Sequence, residues 1–515
     1  MTVAGMVVAA ALAAVALLAG TARARAWAIL GALALTPVLL LAEIWDTPQV
    51  QSLRDRPALS VAGAAVALAA MGALAVLFAR RPGALAVVAP AALPFRIPVE
   101  VGGTSASLLV PLYGVIGAAT LAYALPRLMA DEESHPLRPN SWMKRALAAM
   151  LVLYAVQAVY SPDTTKALEQ VVFFYVPFAL LFAVLRELDW TPRRLTWAFR
   201  VLLAEALVFV AVGFWEYLTR ELLLNPKVIA SNQVREYFRV NSLFFDPNIY
   251  GRFLVLVMLG LAGQLLWSRR PRNVWAAAAA LLVLWGGLVL TLSQSSFAAL
   301  LAGLAVLAWL RFGWRWVLPP AAAAAAVGIV LVLAFPGTLR LDLGSSEALD
   351  DATSGRVALV EGGLELARDR PLAGWGSGSF AHEYRRQDKG SGSQAVSASH
   401  TIPVTVAAEQ GVVGLVVYFA FLALALVRLL DGAHRRAPRA VIGAAFVALV
   451  VHTWLYAAFL EDPMVWTVLA VGASLAGAPQ RGGSPATSGR SDPSLPDGTP
   501  SRSIRSNSRR FSLRS

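Results

Sequence analysis

The chain contains no cysteine. That absence excludes disulfides, thiolate metal sites and cysteine nucleophiles. Histidine is nearly as scarce, with His135, His382, His400, His434 and His452 as the full set, so a histidine-rich metal centre is not expected. Charge is low as well: charged residues make up 15% of the 515, against about a quarter in soluble domains. Nucleotide motifs are also missing. "GWGSG" at 374–378 looks like a phosphate cradle, but it follows no expected strand and no Lys-Ser/Thr pair follows it, which leaves the phosphate-loop and dinucleotide readings weak.

What the chain has in quantity is apolar sequence. Hydrophobic residues reach 57% and the mean hydropathy is +0.62. They come in blocks near the ~20 residues that cross a bilayer. The blocks fall at 3–20, 26–43, 59–79, 83–94, 106–125, 145–160, 168–185, 199–217, 249–267, 274–291, 294–310, 316–335, 402–428, 438–459 and 463–477. The expected fold is therefore an all-α polytopic membrane protein with about 12–15 transmembrane helices. The block at 83–94 is short and holds Pro90 and Pro94, which suits a re-entrant segment better than a span; the block at 463–477 is short too.

The net charge of +13 would suggest nucleic acid in a soluble chain. Here the basic residues sit in short connections and the tail, where the positive-inside rule accounts for them, and no nucleic-acid partner is expected. Arg23/Arg25, Arg80/Arg81, Arg127 to Arg145, Arg186 to Arg194, Arg269 to Arg272, Arg311/Arg315 and Arg435 to Arg439 occupy alternate loops. All can be cytoplasmic at once. Arg23 and Arg25 follow the first apolar block instead of preceding it, which argues for a retained helix and against a signal peptide. The other loops, 44–58, 95–105, 161–167, 218–248 and 336–401, then face outward. The division expected is membrane helices over 1–335, a large extracytoplasmic loop over 336–401, further helices over 402–477 and a disordered cytoplasmic tail over 478–515, rich in Ser, Pro, Gly and Arg.

Four stretches on the outer side carry polar chemistry. "SASHTIPVTVAAEQG" at 397–411 sets His400 at a membrane entrance and Glu409 in the first turns of the helix that follows. An acid at that depth usually faces a cavity or a partner. "REYFRVNSLFFDPNIYG" at 235–251 has Asp246 and Asn248 as N-cap candidates with Pro247 at the first helical position. Arg235 and Arg239 lie there against the positive-inside rule, and arginine near a helix N-terminus suits lipid headgroups or a pyrophosphate. "LTLSQSSFAAL" at 290–300 places a polar hairpin, with Gln294, between two apolar blocks; serines in such a turn also simply cap helices. In 354–380, Val357, Val360, Leu364 and Ala367 recur at helical spacing. The helix expected there, opened by Arg356, ends at Pro371. The glycine turn after it packs Trp375 and Phe380, with Gly376 as a candidate substrate contact. His452 falls inside an apolar block, where a histidine bonded to a neighbouring helix is expected.

In order and spacing these stretches resemble the O-antigen ligase/polymerase family, the Wzy-type membrane glycosyltransferases. "RVNSLFFDPNIYG" is similar to that family's Arg…Phe…Pro-Asn…Gly segment, "LTLSQSS" to its Thr-x-Ser-Arg segment, "RDRPLAGWGSGSF" to its R…PLxGxGxGxF run, and "SHTIPVTVAAEQGVVG" to its HNxxL…E.G..G run. The resemblance spans roughly 240–425. Gln294 stands where the family usually has arginine, and Thr401 where it usually has asparagine; Arg356, Arg235 or Arg370 could supply the missing phosphate contact.

The resemblance implies a GT-C-like enzyme in the inner (cytoplasmic) membrane, active on its extracytoplasmic face. It would transfer oligosaccharide from undecaprenyl diphosphate to an acceptor hydroxyl, as polymerase or ligase, without metal or other cofactor. His400 would be the base, Arg239 the diphosphate clamp and Glu409 the group that orients or tunes them; Asn248, Gln294, Arg356, Arg235 and Gly376 would support the substrate. A flippase and a chain-length regulator are the partners such assembly calls for, beside membrane lipid. A neutral imidazole suits proton removal near neutral pH, and guanidinium suits developing phosphate charge. The rival reading is a lipid-linked glycan flippase or another multi-spanning transporter, which would be expected to show internal repeats; no clear repeat is found.

Overall fold

The computed structural model describes residues 2–45, 51, 54–95, 97–101, 104–129, 140–223, 228–229, 232, 237–319, 356–387 and 399–477. The protein is an all-α polytopic membrane protein: eleven described helices are long and apolar enough to cross a bilayer. In chain order the helices begin with α1 (Thr2–Leu18), α2 (Ala22–Ile44), α3 (Pro57–Arg80) and α4 (Leu85–Ala92). A two-stranded antiparallel hairpin follows, β1 (Ile97–Val101) and β2 (Thr104–Leu108), with Val101 paired to Thr104. Next come α5 (Val110–Met129), α6 (Trp142–Gln157), α7 (Thr164–Glu187), α8 (Pro192–Thr219), α9 (Pro247–Trp267), α10 (Pro271–Thr291) and α11 (Gln294–Phe312). The described part of the large loop holds α12 (Arg356–Asp369) and α13 (Phe380–Arg386), and the chain closes with α14 (Ile402–Leu430), α15 (Ala437–Trp454) and α16 (Pro463–Gly477).

The hairpin occupies the expected outer loop at 95–105 and takes in the first residues of the block expected to span at 106–125. Most of the expected span at 316–335, the tail from 478 and Arg235 lie outside the described residues. The block at 83–94 forms only a 3₁₀ turn and the eight-residue α4, with Pro90 inside it.

Two helices depart from regular geometry. α7 contains a π-helical turn at Val171–Tyr175, and α14 is broken at Gly411, whose φ is 63°. α12 corrects the expected face. Its buried side chains are Leu359 and Leu366, whereas Leu364 is exposed. The true stripe runs through Gly362 and Gly363: a Cβ on Gly363 would lie 2.5 Å from Val404 and 3.0 Å from Phe380. Because glycine does not count as apolar in a periodicity, the packing face was hidden.

Basic connections gather at one end of the bundle. Arg25 at the start of α2 and Arg186 at the end of α7 each approach Glu187 to 2.8 Å. Lys144 at the start of α6 donates to Asn140, which in turn donates to Leu18 O at the end of α1. Helices that alternate in direction bring those loops together, as the spacing of arginines requires.

Candidate active site

The polar stretches meet at the opposite ends of the same helices. Asp246 caps α9, its Oδ1 accepting from Asn248 N at 2.7 Å, with Pro247 at the first helical position. That cap turns Asn248 towards the junction of α10 and α11, where Leu292 takes a left-handed conformation and Ser293 caps α11. Ser293 Oγ donates to Asn248 Oδ1 at 2.8 Å and lies 2.8 Å from Ser296 Oγ. Arg239 closes this group: its Nε donates to Thr291 O at 2.9 Å, and a second nitrogen reaches Asn248 Oδ1 at 3.5 Å.

The network continues through histidine. His452, at the end of α15, is fully buried, and its Nε2 sits 3.2 Å from Ser296 Oγ and 3.3 Å from Ser295 Oγ. The His452 ring is 5.7 Å from that of Tyr456, and Tyr456 is 5.8 Å from the ring of His400, within the usual range of ring contacts. Arg239, Asn248, Ser293, Ser296, His452, Tyr456 and His400 therefore form one chain of contacts.

His400 is held in a left-handed conformation, φ 55°, uncommon away from glycine. Its neighbours fix it there: Ser399 Oγ donates to Thr401 O at 2.7 Å and lies 2.9 Å from Thr405 Oγ1. The loop after α15 is anchored by Arg252 of α9, which pairs with Asp462 and donates to Ala458 O at 3.1 Å; both charged side chains are almost fully buried. Truncating one partner of such a pair would leave an uncompensated buried charge, so a single change at either residue is costly.

Glu409 acts on a loop. One carboxylate oxygen accepts from Gly378 N at 2.9 Å and the other from Phe380 N at 3.2 Å, while Gly376 N donates to Glu409 O at 2.8 Å. The GWGSG turn is thereby fastened to α14. Gly376 has φ 99°, and a Cβ there would lie 2.6 Å from Ser161 Cα, so only glycine fits. These contacts give Glu409 and Gly376 positioning parts. Gln294 is exposed and its side chain has no hydrogen bond to the serine and histidine group. Arg356 opens α12, and Arg370 stacks on Trp375 at 4.0 Å.

Several contributors carry weak signals in the sequence. Glu216 of α8, fully buried, accepts from Asn241 N at 3.2 Å and Ser242 N at 2.7 Å. An acid inside an apolar block was the available clue. The contact of Tyr456 with His400 and the Arg252–Asp462 pair had none, because the partners lie far apart in the chain. Among the described residues, no group of three His, Asp or Glu side chains could hold a metal ion.

Residues 279–419 match the family model described as O-antigen ligase. The match takes in Gln294, Arg356, Gly376, His400 and Glu409, and begins after Arg239 and Asn248. It supports the O-antigen ligase/polymerase family read from the motifs, whose members are multi-pass inner-membrane proteins of polysaccharide assembly. No curated protein matches the chain.

Proposed function

We propose that this protein transfers oligosaccharide from an undecaprenyl-diphosphate carrier to an acceptor hydroxyl, as a polymerase or ligase, on the extracytoplasmic face of the membrane. The observation that carries this reading is the continuous contact chain from the Arg239 guanidinium to the His400 imidazole. A base and a phosphate-binding cation at one end of a bundle are what glycosyl transfer from a lipid diphosphate needs.

In the step proposed, the acceptor oxygen attacks the anomeric carbon of the donor. The new C–O bond forms as the bond to the diphosphate breaks. His400 takes the acceptor proton and later releases it to water. Undecaprenyl diphosphate leaves with the bonding pair, its charge held by Arg239. Asn248 and the Ser293 hydroxyl orient that arginine, and Glu409 holds the turn that closes over the lipid-linked donor. Gln294, Arg356 and Arg235 are proposed to meet the substrate.

The test is His400→Ala in cells deleted for the native copy. Surface glycan should be lost or shortened while the variant protein reaches the membrane in normal amount. Full-length glycan in that strain overturns the mechanism.

A further inference from the structure

Close to His400 in the chain, and lined by none of the residues of the Arg239 group, a cavity of about 210 Å³ lies between α14, α7 and the 457–461 segment. Ile402, Thr405, Val406, Glu409 and Gln410 of α14 form one wall, and Gln170, Phe174 and Tyr175 of α7 another. His400 does not line it, but its close neighbours do: Ile402 follows it by two residues, and Ala457 and Ala458 follow Tyr456.

Both flanking helices are irregular where they line this space. The π-helical turn of α7 contains Phe174 and Tyr175, and the break in α14 at Gly411 directly follows Gln410. Such turns are frequent at functional sites because they redirect side chains without ending the helix. The side chains they present are polar yet aromatic. Tyr154 Oη donates to Gln170 Oε1, and Tyr175 Oη approaches Gln170 Oε1 at 3.5 Å and Glu461 Oε1 at 3.4 Å. Phe174, Tyr418 and Phe459 supply flat apolar surface.

Amides, phenols and a carboxyl among aromatic faces suit a ligand with many hydroxyls and an apolar ring face. The lining offers an anion little, since two carboxyl groups, Glu409 and Glu461, stand beside a single Lys166, itself paired with Glu169. The space is smaller than the pockets that drug-sized ligands fill, and fits one neutral ring.

Resting on the transfer reading above, we infer that this cavity is the acceptor subsite, holding one sugar ring of the acceptor glycan with its hydroxyl presented to His400.

The test uses the full-length protein in nanodiscs and, as probe, saccharide fragments released by mild acid from the producing cell's own surface polysaccharide. The native protein should bind them saturably. Val406→Trp, which fills the space, and Gln170→Leu, which removes its central amide, should each weaken binding by about tenfold or more, with thermal unfolding close to that of the native protein. His400→Ala should still bind. Equal affinity in native protein and in either properly folded cavity variant, or no saturable binding by the native protein, overturns the subsite. Loss of glycan in His400→Ala cells together with unaltered fragment binding by the cavity variants would sink the subsite alone. Normal glycan in those cells would sink the transfer mechanism instead.

Discussion

Glu216 and Glu409 both sit on membrane helices, and both use their carboxylates to hold backbone N–H groups of a neighbouring loop. Glu216 holds Asn241 and Ser242; Glu409 holds Gly378 and Phe380. What the two loops deliver differs. The first carries Arg239 into contact with Thr291 and Asn248. The second packs Phe380 and Tyr384 against Leu359, Leu366 and Ala408. An intramembrane acid is costly and so marks something worth holding, but the mark alone does not separate a loop that brings a reacting group from one that shapes the space around it.

The sharpest way to break the comparison is to remove what each loop carries. Arg239→Ala should lower the turnover of lipid-linked donor by about a hundred- to a thousandfold, the usual loss when a donor to developing charge is deleted. Arg370→Ala, which removes a stacking contact on Trp375, should leave turnover within a factor of a few. Comparable losses in a donor-consumption assay would show that both loops serve the diphosphate.

Exchanging the staples themselves has the next largest effect. Glu216→Gln and Glu409→Gln each keep one acceptor oxygen and lose the other, a loss of about 1.5–3 kcal/mol for a hydrogen bond to a charged group. Both should lower the thermal unfolding midpoint. Glu216→Gln should in addition lower turnover per folded molecule, because Arg239 then loses its fixed place, whereas Glu409→Gln should retain most of it. If Glu409→Gln costs the larger share of turnover, its carboxylate has a part in the chemistry beyond holding the turn.

How far these features could be read in the sequence depends on whether their causes are local. The spans follow from hydropathy, and the cap of α9 was legible because Asp246, Pro247 and Asn248 are adjacent. The serine turn at 293–296 was legible for the same reason. The hairpin at 97–108 was missed, although "VEVGGTSAS" carries a Gly-Gly pair, a sequence signal for hairpins; in a chain so rich in apolar runs that signal was outweighed. The buried stripe of α12 was misread because two of its members are glycines. His452 could be placed near a neighbouring helix, yet nothing local named Ser295 and Ser296 as its partners. Tyr456 meets His400 only because the start of α14 lies beside the end of α15. Contacts between residues 150 to 210 positions apart are set by packing, and one sequence does not display packing.

The smallest expected effect tests the boundary between the held loops and the cavity beside them. Burial pushes the Glu461 carboxyl above its ordinary range; its own backbone hydrogen bond, Lys166, the Tyr175 hydroxyl and Arg252 pull the other way without reversing the shift. The folded protein therefore holds this proton more tightly than the unfolded chain does. Below the ordinary carboxylate range both states are protonated, and Glu461 carries no ionisation penalty. As pH rises from that range towards the raised value, the unfolded state ionises first, so this residue's contribution to stability declines and then levels off. Thermal unfolding of the native protein in nanodiscs should show that decline across mildly acidic pH, superimposed on the titration of other groups. Glu461→Gln, which keeps the shape but cannot ionise, should lose that part of the slope and leave the rest. An unaltered slope in the variant would mean that water reaches Glu461 freely, and the cavity would then be an open cleft instead of a site that selects a neutral ring.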